Sequence, residues 1–495
     1  LRAFGGPLFR YFIREEVLAV MTYLIFLTVT VFTLLGVLYV YRTKQHYATM
    51  DAYLTARGTL GTYLSAATIF ASIMGAWILF APAEAGTWGG ITAITGYALA
   101  QGLSIMIFAH LGPRLRRIAP NGSSLVEFVY YRFGRPMYAI TLVVGIFYMV
   151  VFLCAELTGI ALAVNIAVGF PLWLTALLIG AGTLIYTAYG GIRGSIFTDA
   201  IQAAIIIPTL LLVFAAVVVF AGGPGNIVAS LREIDPSLLN MEHRGGWEFT
   251  LTLIIAIVSA NLFHQGFWSR VYASKNVSTV RKSFLYAGLT VIPVVFLAGT
   301  FGLIAVSRGL ADVPAVALFE VVLSLAPAWV LLVLLVLALA LVMSSADTLL
   351  NAITAVFTVD IARFYPAVSP RTLRAWARIL TVMLCAAAIA VAAQGYSVLY
   401  LFLLADLVCA AAVFPTFYGL YSRRINGQAA ALATLGGIVS GVLLFPDPAF
   451  TRGNLLFAFL AALLVPFLLS LILTQRSKSA FDLESLAEKV YDIKN

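Results

Sequence analysis

The sequence predicts an all-α polytopic membrane protein with about 13 transmembrane helices, N-terminus outside and C-terminus cytoplasmic. Three observations carry this. The 495 residues are 62% hydrophobic and 10% charged, where a soluble chain holds roughly 25% charged residues. Apolar runs of about 20 residues, the length that crosses a bilayer as a helix, recur throughout. These runs lack the period-two alternation of barrel strands, and lipid admits only helices or closed barrels.

Taken in order, the spans fall at 17–41, 60–86, 92–111, 136–163, 171–189, 197–221, 248–272, 283–308, 328–360, 372–393, 397–420, 428–446 and 453–474. Turn-forming stretches separate them, among them TWGG, APNGSS, YGGIRGS, AGGPGN and YPAVSPR. The first run is too long for the apolar core of a signal peptide. With the N-terminus outside, alternating loops place 23 of the 30 Lys and Arg on the inner side, Arg270 among them, and 7 on the outer side. This asymmetry fits an odd number of spans. The net charge of +9 therefore reads as orientation in a lipid bilayer, with no nucleic acid partner. The three cysteines lie in apolar runs and the four histidines are scattered, so neither a disulfide framework nor a zinc site is expected. No Walker sequence, G-x-S-x-G elbow, H-E-x-x-H or dinucleotide fingerprint is present. The chain is read as a non-enzyme without an organic cofactor.

Four acids fall inside predicted spans: Glu156, Asp199, Asp347 and Asp406. A charge at the bilayer centre costs upward of about 2.5 kcal/mol and marks function by default. Few bases are available nearby, since most lie in loops. In VMSSADTLLN, Ser344, Asp347, Thr348 and Asn351 follow i, i+3, i+4, i+7 and share a helix face. Carboxylates and hydroxyls together suit a hard cation, although the same residues also serve as ordinary interhelical glue. The second and seventh spans, five apart, are both interrupted by small or polar residues: Ser72, Gly75 and Ala76 in one, Asn261, His264, Gln265 and Gly266 in the other. Such a pairing is what an inverted-repeat transporter with broken helices displays.

At these residues the chain resembles the sodium:solute symporter family. The segments MDAYLTARGTLG, ASIMGAW, YTAYGGIRGSIFTDAIQ and SSADTLLNAITAVFTVDI carry the resemblance, which covers about residues 17–420. It implies a leucine-transporter-type fold of two inverted five-helix repeats, 60–221 and 248–420. Around these lie an N-terminal segment (1–59), a loop (222–247), two accessory helices (421–475) and a short tail (476–495). It implies Na+ as coupling ion, held by the carbonyls of Ala71, Met74 and Leu341 and the hydroxyls of Ser344 and Ser345. A second sodium or proton site would use Asp199, Asp347 and Thr348, with Asp347 standing where relatives have a hydroxyl. Substrate candidates are Ser72, Trp77, Glu156, Asn261, His264, Gln265 and Asp406, with Phe263 as a gate. The implied function is sodium-coupled symport of a small nitrogenous solute, an amino acid such as proline or a urea- or polyamine-like compound, across the cell membrane. Proton coupling on the same fold and a transporter-like sensor are the alternatives. The short tail after about 475 disfavours the sensor. Oligomeric state is not readable.

Overall fold

The computed structural model describes residues 56–364, 369–447, 452–475 and 480–489, with parts of 23–42. Parts of the first predicted span and of the tail thus lie outside the described residues. Among these residues the chain is helical, with one isolated bridge between Leu60 and Ser274. Among the described residues, nine helices are long and apolar enough to cross a membrane.

The helices that position the site are α1 (Thr62–Ile73), a 3-10 turn (Ala76–Leu79), α2 (Ala81–Met106), α3 (Phe108–Ile118), α4 (Leu125–Phe133), α5 (Arg135–Val168) and α6 (Leu172–Phe220). After α7 (Gly223–Ile234) come α8 (Arg244–Phe263), α9 (Gln265–Ala273), α10 (Val277–Ser307), α11 (Ala317–Leu325) and α12 (Ala328–Phe364). The remainder are α13 (Pro370–Ala392), α14 (Val398–Tyr418), α15 (Gly427–Leu444), α16 (Leu455–Gln475) and α17 (Leu486–Lys489).

Both interruptions expected from sequence are present. The second span breaks at Met74 and Gly75, which are extended between α1 and the 3-10 turn. The seventh breaks at His264, extended between α8 and α9. Helix α12 packs against α1, the 3-10 turn, α5 and α6. It therefore joins the two halves of the chain, as does α2 through its packing on α8 and α10. Helices α15 and α16 pack on each other and on α14, at the periphery.

One expected boundary differs. YGGIRGS does not end a helix, and the helical backbone runs from Leu172 to Phe220. That is 49 residues, or about 74 Å at 1.5 Å per residue. This length is more than twice the roughly 30 Å of an apolar bilayer core, and the apolar parts Leu172–Ile185 and Ser195–Phe220 stay separate on either side of YGGIRGS, so two spans share one helical backbone.

Between the second and third spans the chain bends inside α2 at Gly90, with φ +60 and ψ −156. A Cβ there would lie 2.3 Å from the Leu238 carbonyl oxygen. L-residues rarely adopt this backbone, so Gly90→Ala should destabilise by about 1–3 kcal/mol. Gly145→Ala, whose Cβ meets nothing within 4 Å, is the control and should be near neutral. Thermal unfolding of the purified protein in detergent reads both.

Candidate functional site

The break after Ile73 removes backbone partners from the end of α1. Met74 N still donates to Phe70 O (3.2 Å) and Ile78 N to Gly75 O (3.3 Å), but no described hydrogen bond reaches the carbonyl oxygens of Ala71 or Met74. Buried carbonyls are ordinarily paired, and Ala71 and Met74 are fully buried. Across from them on α12, Ser345 Oγ lies 3.2 Å from Leu341 O and donates to Glu156 Oε2 at 2.7 Å. Glu156 Oε2 also accepts from Ala76 N at 2.6 Å. One carboxylate of α5 therefore joins the broken helix to the hydroxyl-bearing face of α12. Gly75 makes room for it, since a Cβ would sit 2.0 Å from Glu156 Oε1.

Beside it on α12, from Ser344 to Thr348, lies a second polar cluster. Asp199 Oδ1 accepts from Ser344 Oγ at 2.6 Å, and Oδ2 accepts from Thr68 and from Arg270 Nη2, the latter at 2.7 Å. Arg270 Nη2 also donates to Thr348 Oγ1 at 3.1 Å. Asp347 accepts from Ser195 (2.7 Å) and Thr198 (2.9 Å). The Arg270 and Asp199 side chains are 2% and 0% exposed. This corrects the loop placement of Arg270, because its long stem carries the guanidinium inward from the end of α9 into the bundle. Its charge offsets Asp199, and with Asp347 the cluster holds two acids to one base. Thr68, Ser195 and Thr198 were not singled out from sequence. The stripe Ser195, Thr198, Asp199, Gln202 has the i, i+3, i+4, i+7 spacing that could have found two of them.

The substrate candidates separate in space. Trp77, Asn261 and Asp406 line one cavity of about 30 Å³, together with Tyr97, Gln101, Tyr148, Phe152 and Phe402. Trp77 stacks on Tyr97 with centroids 5.7 Å apart. Asn261 donates to Ser104 Oγ (2.7 Å) and accepts from Tyr148 OH (3.2 Å). Ser72, Glu156, His264 and Gln265 do not line it. Ser72 Oγ turns back on Ile69 O (3.0 Å), and His264 packs among Tyr148, Phe152 and Phe267. Gln265 donates to Ser123 O (2.8 Å) and, with Phe263, borders a separate small cavity. Phe263 is buried and edge-on to Phe417. A larger cavity of about 360 Å³ adjoins the first, sharing Leu399 and Leu403 and carrying Glu84 and Glu248 on its wall.

A profile of the sodium:solute symporter family matches residues 53–437. The chain belongs to the sodium:solute symporter family. This symporter is similar to the spermidine transporter DUR31 of Candida albicans, at 28% identity over 396 residues, covering 78% of this chain and 74% of the relative. It is 25% identical over 436 residues to the probable urea active transporter 1 of Schizosaccharomyces pombe, covering 80% of this chain and 64% of the relative. Among solved structures it resembles a Na+-coupled sialic acid symporter in its substrate-bound outward-open state. The TM-score is 0.75 at 17% identity, over 93% of this chain and 98% of that one. The fold is therefore that of leucine-transporter-type carriers, and the protein is a multi-pass membrane transporter, not an enzyme.

Removing the base from the buried pair should be costly. Arg270→Met leaves Asp199 unpaired in the bundle, with an expected loss of about 3–5 kcal/mol. Adding Asp199→Asn to that variant should recover part of the loss. A double-mutant cycle of thermal stability in detergent measures the coupling, and additivity of the two changes would contradict the pairing.

Proposed function

We propose that this symporter couples inward movement of a small nitrogenous solute, an amine above all, to sodium entry by alternating access. The observation that carries the reading is the bridge that Glu156 makes from Ala76 N of the broken helix to Ser345 Oγ of α12, beside the unpartnered Ala71 and Met74 carbonyls. The proposed ligands are five oxygen donors of the kind hard cations take: the Ala71, Met74 and Leu341 carbonyls and the Ser344 and Ser345 hydroxyls. A sodium ion held there would tie α1 to α12. An ion that binds one conformation better than another shifts the balance between them, and solute binding then draws on the same equilibrium. The positive-inside count orients the 360 Å³ cavity toward the outside and Phe263 toward the inner side.

The solute side rests on Asp406. It is 4% exposed, lines the small cavity, and makes no described hydrogen bond. Around it stand Trp77, Tyr97 and Tyr148, whose ring faces attract a cation. A carboxylate in an aromatic box suits an ammonium group, and the similarity to a spermidine transporter accords with that. One charge crossing 100 mV releases about 2.3 kcal/mol, near fifty-fold accumulation at roughly 1.4 kcal/mol per decade. A sodium ion entering with a protonated amine moves two charges and doubles that free energy.

A second reading is favoured by Asp347, the acid in excess of Arg270 beside Asp199. In it a proton is the coupling ion and Asp347 its carrier. Uptake into proteoliposomes at fixed pH separates the two. Sodium coupling requires that uptake follow the sodium gradient, and uptake indifferent to sodium yet abolished by collapsing a pH gradient would favour the proton.

Two variants test the division of labour. Ser344→Ala with Ser345→Ala should raise the sodium concentration for half-maximal uptake, and an unchanged sodium curve would rule out the site. Asp406→Asn should raise the half-saturating amine concentration by about tenfold or more, the size expected on losing a buried charge-assisted contact, while the sodium requirement stays as it was. Competition of labelled amine uptake by neutral and charged analogues reads the second effect.

A further inference from the structure

Glu156 is a buried acid outside both the Arg270 cluster and the cavity around Asp406. It does not line the chamber around Asp406, and it makes no contact with Arg270, being held instead by the backbone N–H groups of Ala76 and Trp77 and by Ser345 Oγ. Its second oxygen, Oε1, is buried and has no described partner. Among the described residues no basic side chain pairs with it. The residue is fully buried, and a buried carboxylate without a counter-charge is strongly disfavoured. The chain nevertheless reserves space for it, because a Cβ at Gly75 would overlap the carboxylate at 2.0–2.3 Å. Gly75 has φ −111, a backbone open to any residue, so the requirement for glycine there is steric and comes from Glu156.

We propose that Glu156 is a charged ligand of the coupling-ion site, an assignment that rests on the sodium reading above. The carboxylate touches the same Ser345 hydroxyl whose oxygen lies beside Leu341 O. Because Ser345 points its O–H at Glu156, the hydroxyl's lone pairs are left for a cation. The site then consists of neutral oxygens from α1 and α12 plus one full negative charge from α5. Sodium entering it neutralises Glu156, and its departure leaves the acid exposed to the unfavourable interior. The ion is thereby tied to three helices rather than two. The class of ligand is a small alkali cation, and the acid is removed from the list of solute contacts.

The alternative is that Glu156 only caps the broken helix. Glu156→Gln separates these roles, since the amide oxygen still accepts from Ala76 N while the charge is lost. The test uses the purified full-length protein in detergent, with thermal stability read against NaCl and KCl holding ionic strength constant. Wild type should show a saturable sodium-dependent rise. Glu156→Gln should move its half-saturation up by about 10- to 100-fold, while the shift produced by amine at saturating sodium is retained. Gly75→Ala, which displaces the carboxylate without removing it, should move the sodium curve in the same direction. An unchanged sodium curve in Glu156→Gln overturns the assignment and leaves the sodium reading intact. A wild type stabilised by amine but indifferent to sodium overturns both. If Glu156→Gln does not purify, Glu156→Asp takes its place: it keeps the charge but withdraws it by one methylene. A sodium half-saturation equal to wild type in that variant likewise overturns the assignment.

Discussion

A carboxylate inside a bilayer must find a counter-charge, a set of donors or a cation, and this bundle is arranged around four of them. Each meets the demand differently. Asp199 takes a guanidinium and two hydroxyls. Asp347 takes the hydroxyls of Ser195 and Thr198. Glu156 takes the backbone N–H groups of Ala76 and Trp77 and one serine. Asp406 faces an aromatic cavity. The first two are largely satisfied within the protein, whereas the last two keep capacity for something else. In a low-dielectric interior the difference between satisfied and unsatisfied acids is large, so the latter two are where ligands gain most.

Helix α12 converts this local chemistry into a connection between distant parts of the chain. Its hydroxyl face reaches Glu156 through Ser345, Asp199 through Ser344 and Arg270 through Thr348. These partners sit on α5, α6 and α9, elements drawn from both halves of the sequence. The broken α1 supplies the remaining surface. A helix unwound at two residues frees carbonyls only where it is also buried, since exposed carbonyls would bond to water or lipid headgroups. Met74 and Gly75 are both buried. Movement of α1 relative to α12 would separate donors that no other element replaces. At the proposed ion site, occupancy and helix position would for that reason be coupled through geometry rather than through a long chain of contacts.

Much of this was legible in the sequence because the relevant signals are local. ASIMGAW interrupts an apolar run with a small-residue pair, and NLFHQG does so five spans later; both breaks appear. The spacing of Ser344, Asp347 and Thr348 placed them on one helix face, where they meet Asp199, Arg270 and Ser195. What was not legible depends on reach and on neighbours. Arg270 lies at the end of α9 near basic loop residues, and sequence position cannot tell a snorkelling arginine from one folded inward. The helix through YGGIRGS shows another limit, since turn-forming residues separate two apolar stretches there without ending the helical backbone. The sorting of Glu156 from Asp406 required three dimensions, because both are single acids in apolar helices and only packing decides which one meets a cavity. Tyr97 and Gln101, or Tyr148 and Phe152, are i, i+4 pairs whose role appears only when α2 and α5 face each other across Asp406.

The cavity volumes carry the argument one step further. About 30 Å³ around Asp406 is far less than the roughly 300 Å³ or more that organic ligands generally occupy. The neighbouring cavity of about 360 Å³ meets that size, and the two are divided by Leu399 and Leu403, which border both. Both leucines stand on α14, one and two turns before Asp406 on the same helix. A solute whose ammonium group reaches Asp406 therefore has to displace these side chains or shift α14. The acid and the barrier above it belong to one rigid element, so attraction at Asp406 and opening of the septum act on the same helix. A solute too short to bridge the two chambers would gain the carboxylate without moving the barrier, and a solute lacking a cationic end would move the barrier with nothing to hold it.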